Sequence, residues 1–109
     1  MDQKTKRYIA SAGAWFVGCY AELIYANYIR ISTDTAYKNE LIRKIFSESG
    51  RDSLQRGTAT RVNAVLRIIG RKTLWQALTY VADSRIADSD DAQYAAKARE
   101  FAGRLNRHS

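Results

Sequence analysis

From Tyr8 to Ile31 the chain reads YIASAGAWFVGCYAELIYANYIRI, with one acid, Glu22, and no base before Arg30. No other stretch is as apolar for as long, and its burial has to be arranged before anything else. Read as one helix at 1.5 Å per residue, residues 8–31 would be about 35 Å long, the longest element of the fold. Tyr8, Ala12, Trp15, Phe16, Cys19 and Leu23 fall on one side of that helix. Val17, Tyr20, Ile24 and Tyr28 form a second apolar stripe on the other, with a narrow seam of Ser11, Gly18, Glu22 and Tyr25 between. A helix apolar nearly all round is enclosed by its own domain, inserted in a membrane, or shared with a partner chain. The small residues Ala10, Ala12, Gly13, Ala14 and Gly18 would admit another backbone at close range.

The membrane alternative is disfavoured. Lys4, Lys6 and Arg7 precede the apolar run as basic residues precede the core of a signal peptide. The uncharged part, Tyr8 to Ala21, nevertheless falls short of the roughly 20 apolar residues a spanning helix needs. Extending it brings in Glu22 and Asn27, and a charge at mid-membrane costs about 2.5–3.5 kcal/mol. The expectation is a soluble, cytoplasmic protein with no membrane association.

The remainder reads as shorter amphipathic helices. Asp34 is placed to cap a helix carrying Tyr37, Leu41, Ile42, Ile45 and Phe46 inward and Glu40, Arg43, Lys44 and Ser47 outward, with Gly50 ending it. After the joint 51–57, Val62, Val65, Ile68 and Ile69 share a face, and Gly70 closes that helix. Thr73 to Gln76 has the capping-box form and opens a helix that buries Leu74, Leu78 and Val81. The last helix carries Tyr94, Ala98, Phe101, Ala102 and Leu105 as its stripe. There is no proline to interrupt helices, and no stretch alternates with period two. The predicted fold is therefore all-α: one domain spanning 1–109, a bundle of about five helices, with frayed ends near 1–4 and 106–109. The helix at 8–31 is expected to be central or at a dimer interface.

Chemistry-bearing constellations are few. One cysteine, Cys19, excludes a disulfide framework within the chain. With one histidine, His108, near the end, neither a metal cluster nor a Cys-His nucleophile can be assembled. Asp88, Asp90 and Asp91 are better explained as helix-capping carboxylates than as a cation site. Glu22, among apolar neighbours, would have a raised pKa if buried. No catalytic residue, metal or cofactor is expected, and the protein is read as a non-enzyme.

What remains is charge. The formal net charge is +7 with a pI near 9.8, which attracts polyanions at long range. Between Arg51 and Lys72 lie six bases and one acid, Asp52. Arg56, Thr60, Asn63, Arg67 and Arg71 line one edge of the third predicted helix, a pattern suited to gripping phosphates with guanidinium forks and hydroxyl or amide groups. Arg61, Lys72, Arg43 and Lys44 would assist. The turn 70–73 resembles the joint of a helix-turn-helix, but Leu74-Trp75-Gln76-Ala77 is too apolar for a recognition helix. The leading expectation is thus a basic protein that contacts nucleic acid, RNA or DNA, mainly through its backbone, or a nucleoprotein complex. Tyr20, Tyr25, Tyr28 and Tyr80 are candidate stacking platforms, although Tyr20 and Tyr28 fit an interface better. Together with Val17 and Ile24 they would make a self-associating patch and a homodimer. The alternative is a protein-protein module, an adaptor or inhibitor, using the tyrosine-rich first helix on an acidic partner surface.

Overall fold

The computed structural model describes residues 1–83 and 92–107. Every regular element among them is a helix: α1 (Gln3–Ala12), α2 (Ala14–Ala26), α3 (Tyr28–Thr33), α4 (Thr35–Ser49), α5 (Gln55–Gly70), α6 (Leu74–Asp83) and α7 (Ala92–Arg107). The all-α class stands, with seven helices among the described residues where about five were expected.

The difference arises in the apolar stretch, which is three helices and not one. At Gly13 the backbone takes φ +89°, a conformation L side chains rarely adopt, and α2 leaves α1 at 95°. In an uninterrupted helix the Ala12 carbonyl would accept from the amide of Phe16. Here it accepts from Arg61 Nη1 at 2.6 Å, so a side chain from α5 replaces the next helical turn. A second break falls at Asn27, whose amide Nδ2 donates to the Leu23 carbonyl (2.9 Å) while Oδ1 accepts from the Tyr37 hydroxyl (3.0 Å). Among the described residues no single helix is long and apolar enough to cross a membrane; α1 and α2 reach that length and composition only as the bent pair.

The central element is α2, in place of a 24-residue rod. Phe16, Val17, Ala21 and Ile24 are buried, and the helix packs against α1, α3, α5, α6 and α7. The close backbone approach anticipated at the small residues occurs within the chain. A Cβ added at Gly18 would lie 2.5 Å from the Tyr94 carbonyl oxygen on α7. From α7, Tyr94, Ala98, Phe101 and Ala102 complete that side of the core, with Leu105 packed at its edge.

The shorter helices follow their patterns. Asp34 caps α4 by accepting from the Tyr37 amide (3.1 Å), and Gly50 ends it at φ +60°. Leu41, Ile42 and Ile45 are buried from α4, Val62, Val65 and Ile68 from α5, and Leu74, Leu78 and Val81 from α6. Two details of the α5–α6 joint differ from expectation. Gly70 is still helical, and the left-handed position falls on Lys72 (φ +61°). The Thr73 hydroxyl donates to the Ile68 carbonyl (3.3 Å) and accepts from the buried Thr5 hydroxyl (3.0 Å), so it ties α1 to the joint instead of forming the predicted capping box.

The Gly18 contact generates a paired prediction. Gly18→Ala should lower stability by about 1–3 kcal/mol, because backbone cannot yield as a side chain can. Gly103→Ala, on α7 with open space at its Cβ, should raise stability by about 0.5–1 kcal/mol. Urea unfolding of the two variants measures both signs.

Candidate nucleic-acid interface

Burial of Val62, Val65 and Ile68 on one side of α5 turns Arg56, Thr60 and Arg67 to solvent on the other, with Asn63 half-buried. Beside this edge α1 runs antiparallel. Asp2 meets Arg71 (3.5 Å), Thr5 meets Thr73, the Arg67 guanidinium lies 5.7 Å from the Tyr8 ring centroid, and Ala12 meets Arg61. Between the two helices lies a groove of about 290 Å³, lined by Arg7, Tyr8 and Ser11 from α1 and by Thr60, Asn63, Ala64 and Arg67 from α5.

Thr60, Asn63 and Arg67 of the predicted set are therefore brought together. Arg56 extends the row at one end, Arg71 and Lys72 at the other. Among the described residues, Arg7, Arg56, Arg67 and Lys72 form no ion pair with a carboxylate and the Asn63 amide has no hydrogen-bond partner. The Thr60 hydroxyl donates to the Arg56 carbonyl (3.0 Å), which leaves its lone pairs to accept. Arg71 has the exposed Asp2 carboxylate as neighbour. That carboxylate also accepts from the Thr5 amide at 2.7 Å, and this bond first, then the Thr5 hydroxyl and Arg71, holds its pKa below the ordinary value.

Arg61 does not belong to the row. Its Nε lies 3.2 Å from both Asp52 carboxylate oxygens, Nη2 lies 3.1 Å from Oδ1, and Nη1 holds the Ala12 carbonyl. Thr58 donates to the same carboxylate at 2.8 Å. Arg61, followed by the Thr58 hydroxyl, holds the Asp52 carboxyl below the usual carboxylate range. This cation is a staple, satisfied by protein. Arg43 and Lys44 lie elsewhere, in a depression on α4 shared with Glu40 and Glu48.

The expected self-associating stripe is not a surface. Val17 and Ile24 are fully buried in the chain's own core. Tyr20 is half-buried against Trp15 and Phe16 (centroids 5.8 and 5.0 Å); burial, then Glu48, pushes its hydroxyl pKa up. Tyr28 is half-buried with its hydroxyl close to Gly70. Glu22 is exposed and paired with Arg104. Asp88, Asp90, Asp91 and His108 lie outside the described residues, and among the described ones no cluster of metal-ligating side chains occurs.

Sequence reasoning missed the α1 half of the groove. Arg7 and Ser11 are spaced i, i+4 with Tyr8 beside them, but by spacing alone Tyr8 belongs to an apolar stripe and Arg7 to the flank of a long helix. Only the corner at Gly13 lays α1 along α5. No protein-family model matches the chain, and no curated protein or solved structure matches it.

The Arg61–Asp52 staple has a pH signature. With the folded pKa of Asp52 depressed, its stabilisation is complete above the unfolded value of about 3.9 and is lost as pH falls through the folded pKa. Asp52→Asn should lower stability at pH 7 by about 1–3 kcal/mol. It should also flatten the decline in urea midpoint below about pH 4, leaving the part due to other carboxylates such as Asp2.

Proposed function

We propose that this protein is a non-enzymatic, basic binding protein that contacts nucleic acid, alone or in a nucleoprotein complex, through the joined faces of α1 and α5. The observation that carries this reading is a groove lined by Arg7 and Arg67, with Arg56 and Lys72 before and after it along the α5 segment, all four left without carboxylate partners among the described residues. Hydroxyl and amide groups of Ser11, Thr60 and Asn63 sit among them. Guanidinium forks offer paired donors to phosphate oxygens, and Lys72 at the turn adds a point charge beyond the end of α5. Salt pairing within the chain would have consumed these charges, as it does for Arg61.

Binding should follow the counterion-release law. With about four phosphates neutralised, the logarithm of affinity should fall with log salt at a slope of roughly −3 to −4. Combined Arg7→Ala, Arg56→Ala and Arg67→Ala should reduce that slope by about 2–3. Urea unfolding should change by under about 0.5 kcal/mol per site, since these are surface positions. Arg43→Ala with Lys44→Ala should have a smaller effect on binding. If mixed-sequence RNA and DNA both fail to bind at low salt, the proposal is wrong.

A second reading, a protein-protein module, now rests on different residues. Within 8–31 the exposed large apolar side chains are Leu23, Tyr25 and Ile29, the last 77% exposed and followed by Arg30. They lie on α2 and α3 and line none of the α1–α5 groove. Ile29→Asp should leave nucleic-acid affinity unchanged, and any shift it causes in sedimentation or in capture of an acidic partner would support this reading.

A further inference from the structure

We infer that the α1–α5 face takes a single strand of nucleic acid, with bases laid against aromatic rings, and does not enter a duplex groove; the inference rests on the nucleic-acid reading above. Its first ground is width. Over Arg61–Arg71, α5 is flanked by α1 through the contacts Ala12–Arg61, Tyr8–Arg67 and Asp2–Arg71. One helix is about 10–12 Å across, and two lying side by side at an axis separation of about 8–10 Å present roughly 20 Å. The major groove of duplex DNA is about 12 Å wide and admits one helix. The Arg67 and Asn63 part of the edge therefore cannot be lowered onto base edges, and duplex can be met there only by its outer phosphates.

The second ground is an aromatic ring among the groove's cations and an exposed one farther along the chain. Tyr8 lines the groove between Arg7 and Ser11, with the Arg67 guanidinium beside its ring. Trp75, outside the groove lining, is 45% exposed in the first turn of α6 and follows Lys72 by three residues in sequence, open to a strand that runs on past the end of α5. A duplex keeps its bases stacked on one another and has no use for an aromatic ring beside a phosphate track. A single strand does, because each unpaired base offers a face to an aromatic side chain while its phosphates follow the positive groove. Asn63, in the groove wall and without a hydrogen-bond partner among the described residues, is placed to accept or donate at the edge of a base held there.

Fluorescence anisotropy with four probes of equal phosphate number tests this: mixed-sequence single-stranded RNA, the same in DNA, a DNA hairpin duplex, and an abasic single strand. The single strands should bind about tenfold or more tightly than the duplex at the same salt. The abasic strand should lose most of that advantage. Tyr8→Leu, which keeps an apolar side chain at a half-buried site, and the exposed Trp75→Leu should each lower the ratio of single-strand to duplex affinity about fivefold or more. Equal affinity for duplex, single and abasic strands, insensitive to both variants, would overturn this inference and leave the polyanion reading standing. Failure of all four probes to bind would remove the nucleic-acid reading itself.

Discussion

The Arg61 guanidinium is the contact on which the architecture turns. It joins three pieces of chain that are distant in sequence: the end of α1 through the Ala12 carbonyl, the joint before α5 through Asp52, and α5 itself. A helix end exposes carbonyls that need donors, and α1 has no basic residue in its last turn to supply one. Arg61 supplies it from across the fold. The corner at Gly13 and the guanidinium depend on each other, since a Cβ at Gly13 would lie 2.9 Å from Arg61 Nη1. Glycine at this position meets two demands together: a positive φ and room for a charged group against the backbone.

That corner also decides what the surface can do. Were residues 8–31 straight, Arg7, Tyr8 and Ser11 would extend away from α5, and α5 would carry its polar edge alone, as a recognition helix does. Folding α1 back beside α5 widens the polar face and doubles its sources of charge. It also converts an edge into a groove. The Thr5–Thr73 hydrogen bond fixes the other end of this pairing, so α1 is held at both ends with its exposed side left to solvent.

The sequence made the amphipathic helices legible because their signals are local. The stripes of α4, α5, α6 and α7, the Asp34 cap and the Gly50 stop depend on spacing within one or two turns. The breaks in 8–31 were illegible for the opposite reason. Gly13 and Asn27 are tolerated inside helices often enough that neither marks a break by itself; Gly13 becomes a corner only because Arg61, 48 positions later in sequence, takes the Ala12 carbonyl. Two apolar stripes demand burial on both sides, and for Val17 and Ile24 the chain's own helices packed on α2 meet that demand. Likewise the α5 row was visible as spacing, while its division into held and unheld cations was not, because Asp52 and Asp2 reach their partners only through tertiary contacts.

This division bears on how a net charge of +7 should be weighed. Much of the arginine content is structural. Arg61 caps α1 and pairs with Asp52, Arg99 donates to the Ala82 carbonyl (3.2 Å), and Arg104 pairs with Glu22. Arg30 and Arg51 lie over the rings of Tyr37 and Trp15 at 4.0 and 4.1 Å, where cation–π attraction and the flat guanidinium suit an aromatic surface. A high pI is then partly the by-product of a fold that uses arginine to close helix ends and cover rings. The functional weight falls on the residue of that subtraction. Arg7, Arg56, Arg67 and Lys72 serve no such role among the described residues, apart from the loose approach of Arg67 to Tyr8. Among the described residues Lys4, Lys6, Lys38, Arg43, Lys44 and Lys97 also have no such role and are spread over α1, α4 and α7. Arg7 and Arg67 differ in lining one polar groove, with Arg56 and Lys72 before and after it along the α5 segment. The dispersed cations read as solubility; in the proposed function it is the few beside the polar groove that meet phosphates.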